Sequence, residues 1–150
     1  MESLSIVLEY DLNDIDMKVN SFEELVIWQK AIEIGVEIYN ISDQSPLKND
    51  YKSRDQLIGS AVSISNNIAE GFEYNNSVQF VKFLGYAKGS AGELRSQLAL
   101  LVKVNRVSEE KYLILKEELI GLSRQIKALV TYLKTKKRLN KKPVLNFANP

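Results

Sequence analysis

Between residues 80 and 101 the side chains Phe80, Leu84, Ala87, Ala91, Leu94, Leu98 and Leu101 recur at alternating steps of four and three. That spacing sets them on one stripe of an α-helix, the seam by which helices pack on helices. A strand would need its inward residues at every second position instead. The rhythm returns on both sides. Leu57, Ala61, Ile64, Ile68 and Phe72 carry it upstream, and Tyr112, Leu115, Leu119, Leu122, Ile126, Leu129 and Leu133 carry it downstream. A strand is hinted at only by Leu4 to Leu8, and one isolated strand is not stable. The chain is thereby constrained to an all-α architecture.

A first helix precedes these three. Ser21-Phe22-Glu23-Glu24 has the form of a capping box, Ser21 accepting from the Glu24 amide while Glu24 reaches back. Leu25, Trp28, Ile32, Gly35 and Tyr39 form its main seam, and a second set, Val26, Ile27, Ala31, Ile34 and Ile38, widens the apolar face. Pro46 ends this helix, Gly71 and Asn75-Asn76 end the next, and Ser77 and Ser108 are placed to cap the third and fourth. Connections of about four to nine residues between long helices favour antiparallel neighbours, an up-down-up-down four-helix bundle. Gly85, Gly89 and Gly92 interrupt the third helix at ~1 kcal/mol each relative to Ala. Either another backbone approaches closely there, or a long helix absorbs them.

The apolar surface exceeds what one bundle needs, since about three positions in seven suffice. Val26, Ile27 and Ile34 on the first helix and Leu113, Ile120 and Val130 on the fourth are expected to form a subunit interface in a homo-oligomer. Packing beneath the terminal segments is the alternative.

Residues 1–24 hold seven acids and one base, whereas residues 134–142 hold six bases and no acid, within a net charge of +1. Three parts follow: an acidic N-terminal arm (1–20), the helical domain (21–137) and a basic, extended C-terminal tail (138–150). With no Cys and no His, thiolate zinc sites, imidazole ligands and Ser-His-Asp triads are excluded. No run of apolar residues approaches the ~18 of a membrane span. The acidic start lacks the basic residues of a signal peptide, so a cytoplasmic location is expected.

The polar stretch Ser63, Asn66, Asn67 and Glu70 is unusual in a helix interior, because Ser and Asn compete with the backbone for hydrogen bonds. It is read as a structural network that sets helix register; a ligand or catalytic role for Glu70 is the lesser alternative. Carboxylate di-metal sites of helical bundles need Glu-x-x-His pairs, and Gly85-x-x-x-Gly89 lacks the context of a phosphate loop. No enzyme activity, metal or cofactor is expected. For nucleic acid, Lys134, Lys136, Lys137, Arg138, Lys141 and Lys142 are the candidate phosphate contacts, with Lys82, Lys88 and Arg95 as further cations. A solvated helix terminus accounts for the same lysines.

Three motifs resemble one family. Phe22-Glu23-Glu24-Leu25-Val26-Ile27-Trp28-Gln29-Lys30-Ala31 is similar to its opening "L-x-V-W-Q-K-A". Ala61 to Gly71, reading AVSISNNIAEG, resembles "A-V-S-I-P-S-N-I-A-E-G". Phe80 to Ser90 with Glu93-Leu94 and Gln97-Leu98 resembles "F-x-x-F-L-x-x-A-x-G-S-x-x-E-L-x-x-Q-L". These are the small bacterial four-helix bundle proteins labelled S23-type, many encoded within intervening sequences of large-subunit ribosomal RNA genes. The resemblance spans about residues 21–135. It implies an antiparallel four-helix bundle assembled as a ring-like homopentamer, and RNA binding inferred from gene location. Related accessory proteins of diversity-generating retroelements bind nucleic acid beside a reverse transcriptase, which makes such an enzyme a candidate protein partner. Ile58-Gly59-Ser60 stands where the family commonly has a basic pair, and Gln79 where it has an acid. The expected function is therefore a non-enzymatic, nucleic-acid-associated accessory or adaptor protein. The alternative is a protein-interaction scaffold docking a partner through the acidic arm or the ring surface.

Overall fold

The computed structural model describes residues 19–140, with side chains through Lys136. Four helices dominate it: α1 (Val26–Ser42), α2 (Tyr51–Glu73), α3 (Ser77–Lys103) and α4 (Glu109–Asn140). Short 3-10 turns precede α1 (Phe22–Glu24) and α2 (Leu47–Asn49), and no strand occurs among the described residues.

Local chemistry explains the borders. Asn76 Oδ1 accepts from the amides of Val78 and Gln79 at 2.9 and 3.2 Å, so Asn76, rather than the expected Ser77, caps α3. Ser108 Oγ accepts from the Lys111 amide at 3.3 Å, as its position predicts. Asn75 and Asn105 take positive φ of 49° and 59°, the left-handed turn conformation that Asn tolerates better than most side chains. The capping box at Ser21 does not form. Leu25 is extended, α1 begins only at Val26, and the Glu24 amide bonds the Ser21 carbonyl at 3.2 Å. Glu24 does reach back, but to the Asn20 amide at 3.2 Å, and Gln29 Nε2 donates to the Glu23 carbonyl at 2.8 Å.

Helices consecutive in the chain pack against each other, and α1 also packs against α4. The diagonals are therefore α1 with α3 and α2 with α4, the arrangement of a four-helix bundle. The α3 seam lies inward as its spacing requires, with Leu84, Ala87, Ala91, Leu94 and Leu98 fully buried. Leu57, Ile64 and Ile68 of α2 and Leu119, Leu122 and Ile126 of α4 meet it in one contiguous core.

On α1 the second apolar set lies deepest, while of the expected main seam only Leu25 and Trp28 pack, in part, against the core. Ile27, Ala31, Ile34, Ile38 and Ile41 form its core face, while Ile32, Val36 and Tyr39 point outward, Val36 at 53% exposure. Ile27 and Ile34 are thus core residues and cannot also meet a second subunit, because a side chain buried against α2 and α4 has no surface left to offer. Of the other proposed interface residues, Val130 packs partly against the core, Val26 and Ile120 are half-buried, and Leu113 is exposed.

The close backbone approach expected at Gly85, Gly89 and Gly92 is absent: a Cβ at any of the three would meet nothing within 4 Å. It occurs at Gly71, where a Cβ would lie 2.6 Å from Phe83 Cβ and 3.1 Å from Phe80 Cδ2. The missing side chain seats Phe83 of α3 against the end of α2.

α4 continues through Asn140, so residues 138–140, expected in an extended tail, are helical. Nothing in Lys-Arg-Leu-Asn breaks a helix before Pro143. The acidic arm (residues 1–18) and the tail beyond 140 lie outside the described residues.

Asp50 ties the far end together. Its Oδ1 accepts from the Ser53 amide at 3.3 Å, capping α2, and its Oδ2 accepts from Arg106 Nε at 3.3 Å across the α3–α4 turn. Hydrogen bonds from Ser53 chiefly hold the Asp50 carboxyl below the usual carboxylate range; burial opposes them, and Arg106 adds a lesser lowering. A depressed folded-state pKa contributes stability above the unfolded-state value, and that contribution fades as pH falls through the folded-state value. Asp50→Asn should therefore lower the melting temperature near neutral pH and flatten its decline in the acid range. Melting curves between pH 7 and pH 3 that run parallel for the two proteins would refute this.

Candidate nucleic-acid interface

The basic end of α4 is built on regular helix. Thr131 and Thr135 fold their hydroxyls onto the carbonyls of Lys127 and Thr131, at 3.0 and 2.9 Å, which keeps their polar groups satisfied in the helix. Lys134 and Lys136 are exposed, and Lys136 Nζ stands 6.0 Å from the centroid of the Tyr132 ring. Lys137 and Arg138 continue on the same helical backbone; Lys141 and Lys142 lie outside the described residues. Cations on these turns sit at the negative end of the helix dipole, worth about 0.3–1 kcal/mol each at a surface. They have a structural reason to be there as well as a capacity to meet phosphate.

The cations on α3 do not join this cluster into one surface. Lys82 and Lys88 are exposed, yet six residues apart they point to different sides of the helix. Arg95 is half-buried, with its Nε enclosed and without an acceptor. Its guanidinium is a poor reader of a passing phosphate.

The polar stretch of α2 resolves into a smaller network than expected. Asn67 Nδ2 donates to the Ser63 carbonyl at 2.8 Å and to Ser63 Oγ at 3.0 Å, and Ser63 Oγ shares a hydrogen bond of 2.9 Å with Ser90 Oγ on α3. Asn66 and Glu70 are exposed and stand outside it. Ser63, braced by Asn67 within α2, thus ties α2 to α3 through Ser90, as a polar pair fixes register in a coiled coil. The third member, Ser90, was legible only as a small polar residue beside the α3 seam.

Two further features emerge only from the packing. Tyr74 stacks on Phe83 at 5.3 Å, Phe83 meets Tyr86 edge-on at 5.6 Å, and Lys82 Nζ lies 6.0 Å from the Tyr86 ring. Tyr74 and Tyr86 are half-exposed, off both seams, which is why seam periodicity passes over them. A groove of about 810 Å³ runs between α1 and α4, lined by Glu33, Glu37, Asp43 and Glu118 with Lys111 and Ile114. Lys111 Nζ donates to Gln44 Oε1 at 2.6 Å across it. Among the described residues no three carboxylates gather closely enough to hold a metal ion, and no helix is long and apolar enough to cross a membrane.

Comparison with known proteins places this arrangement. Residues 23–128 match the family described as 23S rRNA-intervening sequence protein. Among solved structures, the chain is similar to a protein with unknown function from the S23 ribosomal protein family of Bacteroides thetaiotaomicron VPI-5482. The TM-score is 0.64 at 21% identity, covering 70% of this chain and 98% of that one. At that identity the likeness speaks for the fold. No curated protein matches the chain.

Proposed function

Because the chain belongs to the 23S rRNA-intervening sequence protein family, we propose that it is a non-enzymatic, self-assembling helical bundle acting as a nucleic-acid-associated accessory protein in the cytoplasm. The observation that carries the reading is the continuation of α4 through Asn140. It sets Lys134, Lys136, Lys137 and Arg138 on two successive helical turns with no acid among them. Four cations on a short rod can displace several condensed counterions from a phosphate backbone, a gain that needs no base-specific contact.

The bundle is read as antiparallel, up-down-up-down. In support, Gly71 pairs with Phe83, Ser63 with Ser90 and Asp50 with Arg106, so that numbers fall along α2 as they rise along α3. This order puts the α4 terminus beside the start of α1. A homopentamer of such bundles, the assembly the family resemblance implies, would gather five basic ends and raise affinity through effective concentration rather than through new contacts.

Fluorescence anisotropy with a labelled structured RNA and a labelled DNA duplex tests the reading. Binding is expected at low salt, falling about a hundredfold between 50 and 200 mM, the slope for roughly four phosphate contacts. Lys134→Glu with Lys136→Glu should abolish most of it and leave helicity unchanged. No binding at 50 mM, or binding indifferent to the double reversal, would sink the proposal.

A further inference from the structure

Aromatic rings that serve a core are covered by it; those beside the α2–α3 turn are not. Tyr74 and Tyr86 keep 54% and 51% of their surface open, and neither belongs to a helix seam. Phe83, seated against Gly71, holds both in place. Tyr74 stacks on it with ring centroids 5.3 Å apart and planes at 24°, and Tyr86 meets it at 5.6 Å and 85°. Rings fixed in this way lose little freedom when another flat group is laid on them.

What surrounds the rings selects the ligand. Lys82 and Gly89, one helical turn before and after Tyr86, share its face of α3, with Gly85 beside it. Lys82 Nζ lies 6.0 Å from the Tyr86 ring, and a Cβ at either glycine would meet nothing within 4 Å. A planar group can therefore settle on the ring and the bare backbone beside it, with a cation at its edge. From Tyr74 to Gly92 the chain has two bases, Lys82 and Lys88, and no acid. Glu70 and Glu73, exposed on the last turns of α2, offset them. The platform is thus close to neutral, suited to a flat π-system with one phosphate beside it rather than to a run of phosphates.

We infer that Tyr74 and Tyr86 form a stacking platform for unpaired nucleobases, so that the nucleic acid this chain prefers is single-stranded. Every base has a π-face, but it is free to stack on a side chain only where the strand is unpaired. Phosphates of the same strand need more cations than the platform holds, and the basic turns of α4 supply them. In the antiparallel order read above, the α2–α3 turn and the α4 terminus share one end of the bundle, so a single strand can meet both. The inference rests on the nucleic-acid reading above and deepens it by naming the strandedness of the ligand. The two surfaces then divide the work. The α4 cations set the salt dependence, and the rings set the preference for unpaired bases.

The test uses the full-length protein, a labelled oligouridylate and a labelled RNA duplex of the same length, with anisotropy read across a range of salt. The parent is expected to bind the single strand about tenfold more tightly than the duplex. Tyr86→Ala should remove about tenfold of the oligouridylate affinity and leave duplex affinity unchanged. The salt slope should stay as it was, since no charge is lost. Tyr86→Phe keeps the ring and should keep the binding. Tyr74→Ala should behave as Tyr86→Ala does; if its melting curve shows a loosened turn, the exposed mid-helix Tyr86 carries the test alone. Photocrosslinks from 5-iodouridine in the same strand should fall on Tyr74 or Tyr86. No loss in Tyr86→Ala, equal loss for both probes, or crosslinks only at other residues would overturn the platform and leave the phosphate reading standing on its own charge reversals. Salt-insensitive binding of the single strand that still requires Tyr86 would sink the phosphate reading and leave the platform. A parent that binds neither probe would overturn both.

Discussion

Ile34→Ala is expected to lower the free energy of unfolding by about 2–5 kcal/mol, the range for deleting a fully buried branched side chain and leaving a partly collapsed cavity. Ile34 has no exposed surface, and it lies in the single core formed by all four helices. Against a total of roughly 5–15 kcal/mol for a domain of this kind, such a loss is a large share of what holds the chain folded. Ile32→Ala, two residues away on the exposed side of α1, is expected to change the same quantity by about 0.5 kcal/mol or less. The comparison belongs at a dilution where both variants and the parent are monomeric, since association adds concentration-dependent stability. Urea titrations followed by circular dichroism supply the numbers. A larger loss at Ile32 than at Ile34 would mean that Ile32 and Tyr39, with Leu25 and Trp28, face the core in place of Ile34.

Adding one carbon at Gly71 should be nearly as informative. Alanine is the better helix former by about 1 kcal/mol, and at an open site that gain appears as added stability. At Gly71 the new Cβ would stand 2.6 Å from Phe83 Cβ, an atom bonded directly to the α3 backbone that cannot swing aside. Relief therefore requires α2 and α3 to separate where Phe72, Phe80 and Phe83 interlock, a distortion that typically costs about 1–3 kcal/mol. Gly71→Ala is expected to destabilise in spite of the propensity gain. Gly59→Ala, on the exposed side of α2 with nothing within 4 Å, is expected to stabilise by up to about 1 kcal/mol. Two substitutions of one kind in one helix should then have opposite signs. Equal signs would show that the contact at Gly71 is looser than the geometry states.

The residues read most reliably were those whose pattern admitted one phase. On α3 the four-three alternation is bounded by polar or glycine positions on the other faces, so Leu84, Leu94 and Leu98 could only face inward, and they do. The polar stretch of α2 announced a network through residues ill-suited to a helix interior. Which of them took part depended on Ser90, from a helix whose register against α2 no local pattern encodes. The caps show the same division. Ser108 acts as its position predicts, while Ser21 and Ser77 lose their expected roles, Ser77 to its neighbour Asn76 and Ser21 to a 3-10 turn that delays α1. The basic terminus of α4 was plain from composition. That its backbone continues as helix through Asn140 was not.

The amino-acid order by itself decided that this chain is four helices, where three of their inward stripes lie and where opposite charges concentrate. Those properties follow from periodicity, turn residues and side-chain type, which act over a few residues and need no partner. Tertiary structure alone decided which of two equally greasy stripes on α1 is covered. Both satisfy a 3.6-residue period, and only the shape left open between α2 and α4 selects Ile27, Ile34 and Ile38 over Ile32, Val36 and Tyr39. That one rotation moved two expected interface residues into the core and left Ile32, Val36 and Tyr39 on the surface.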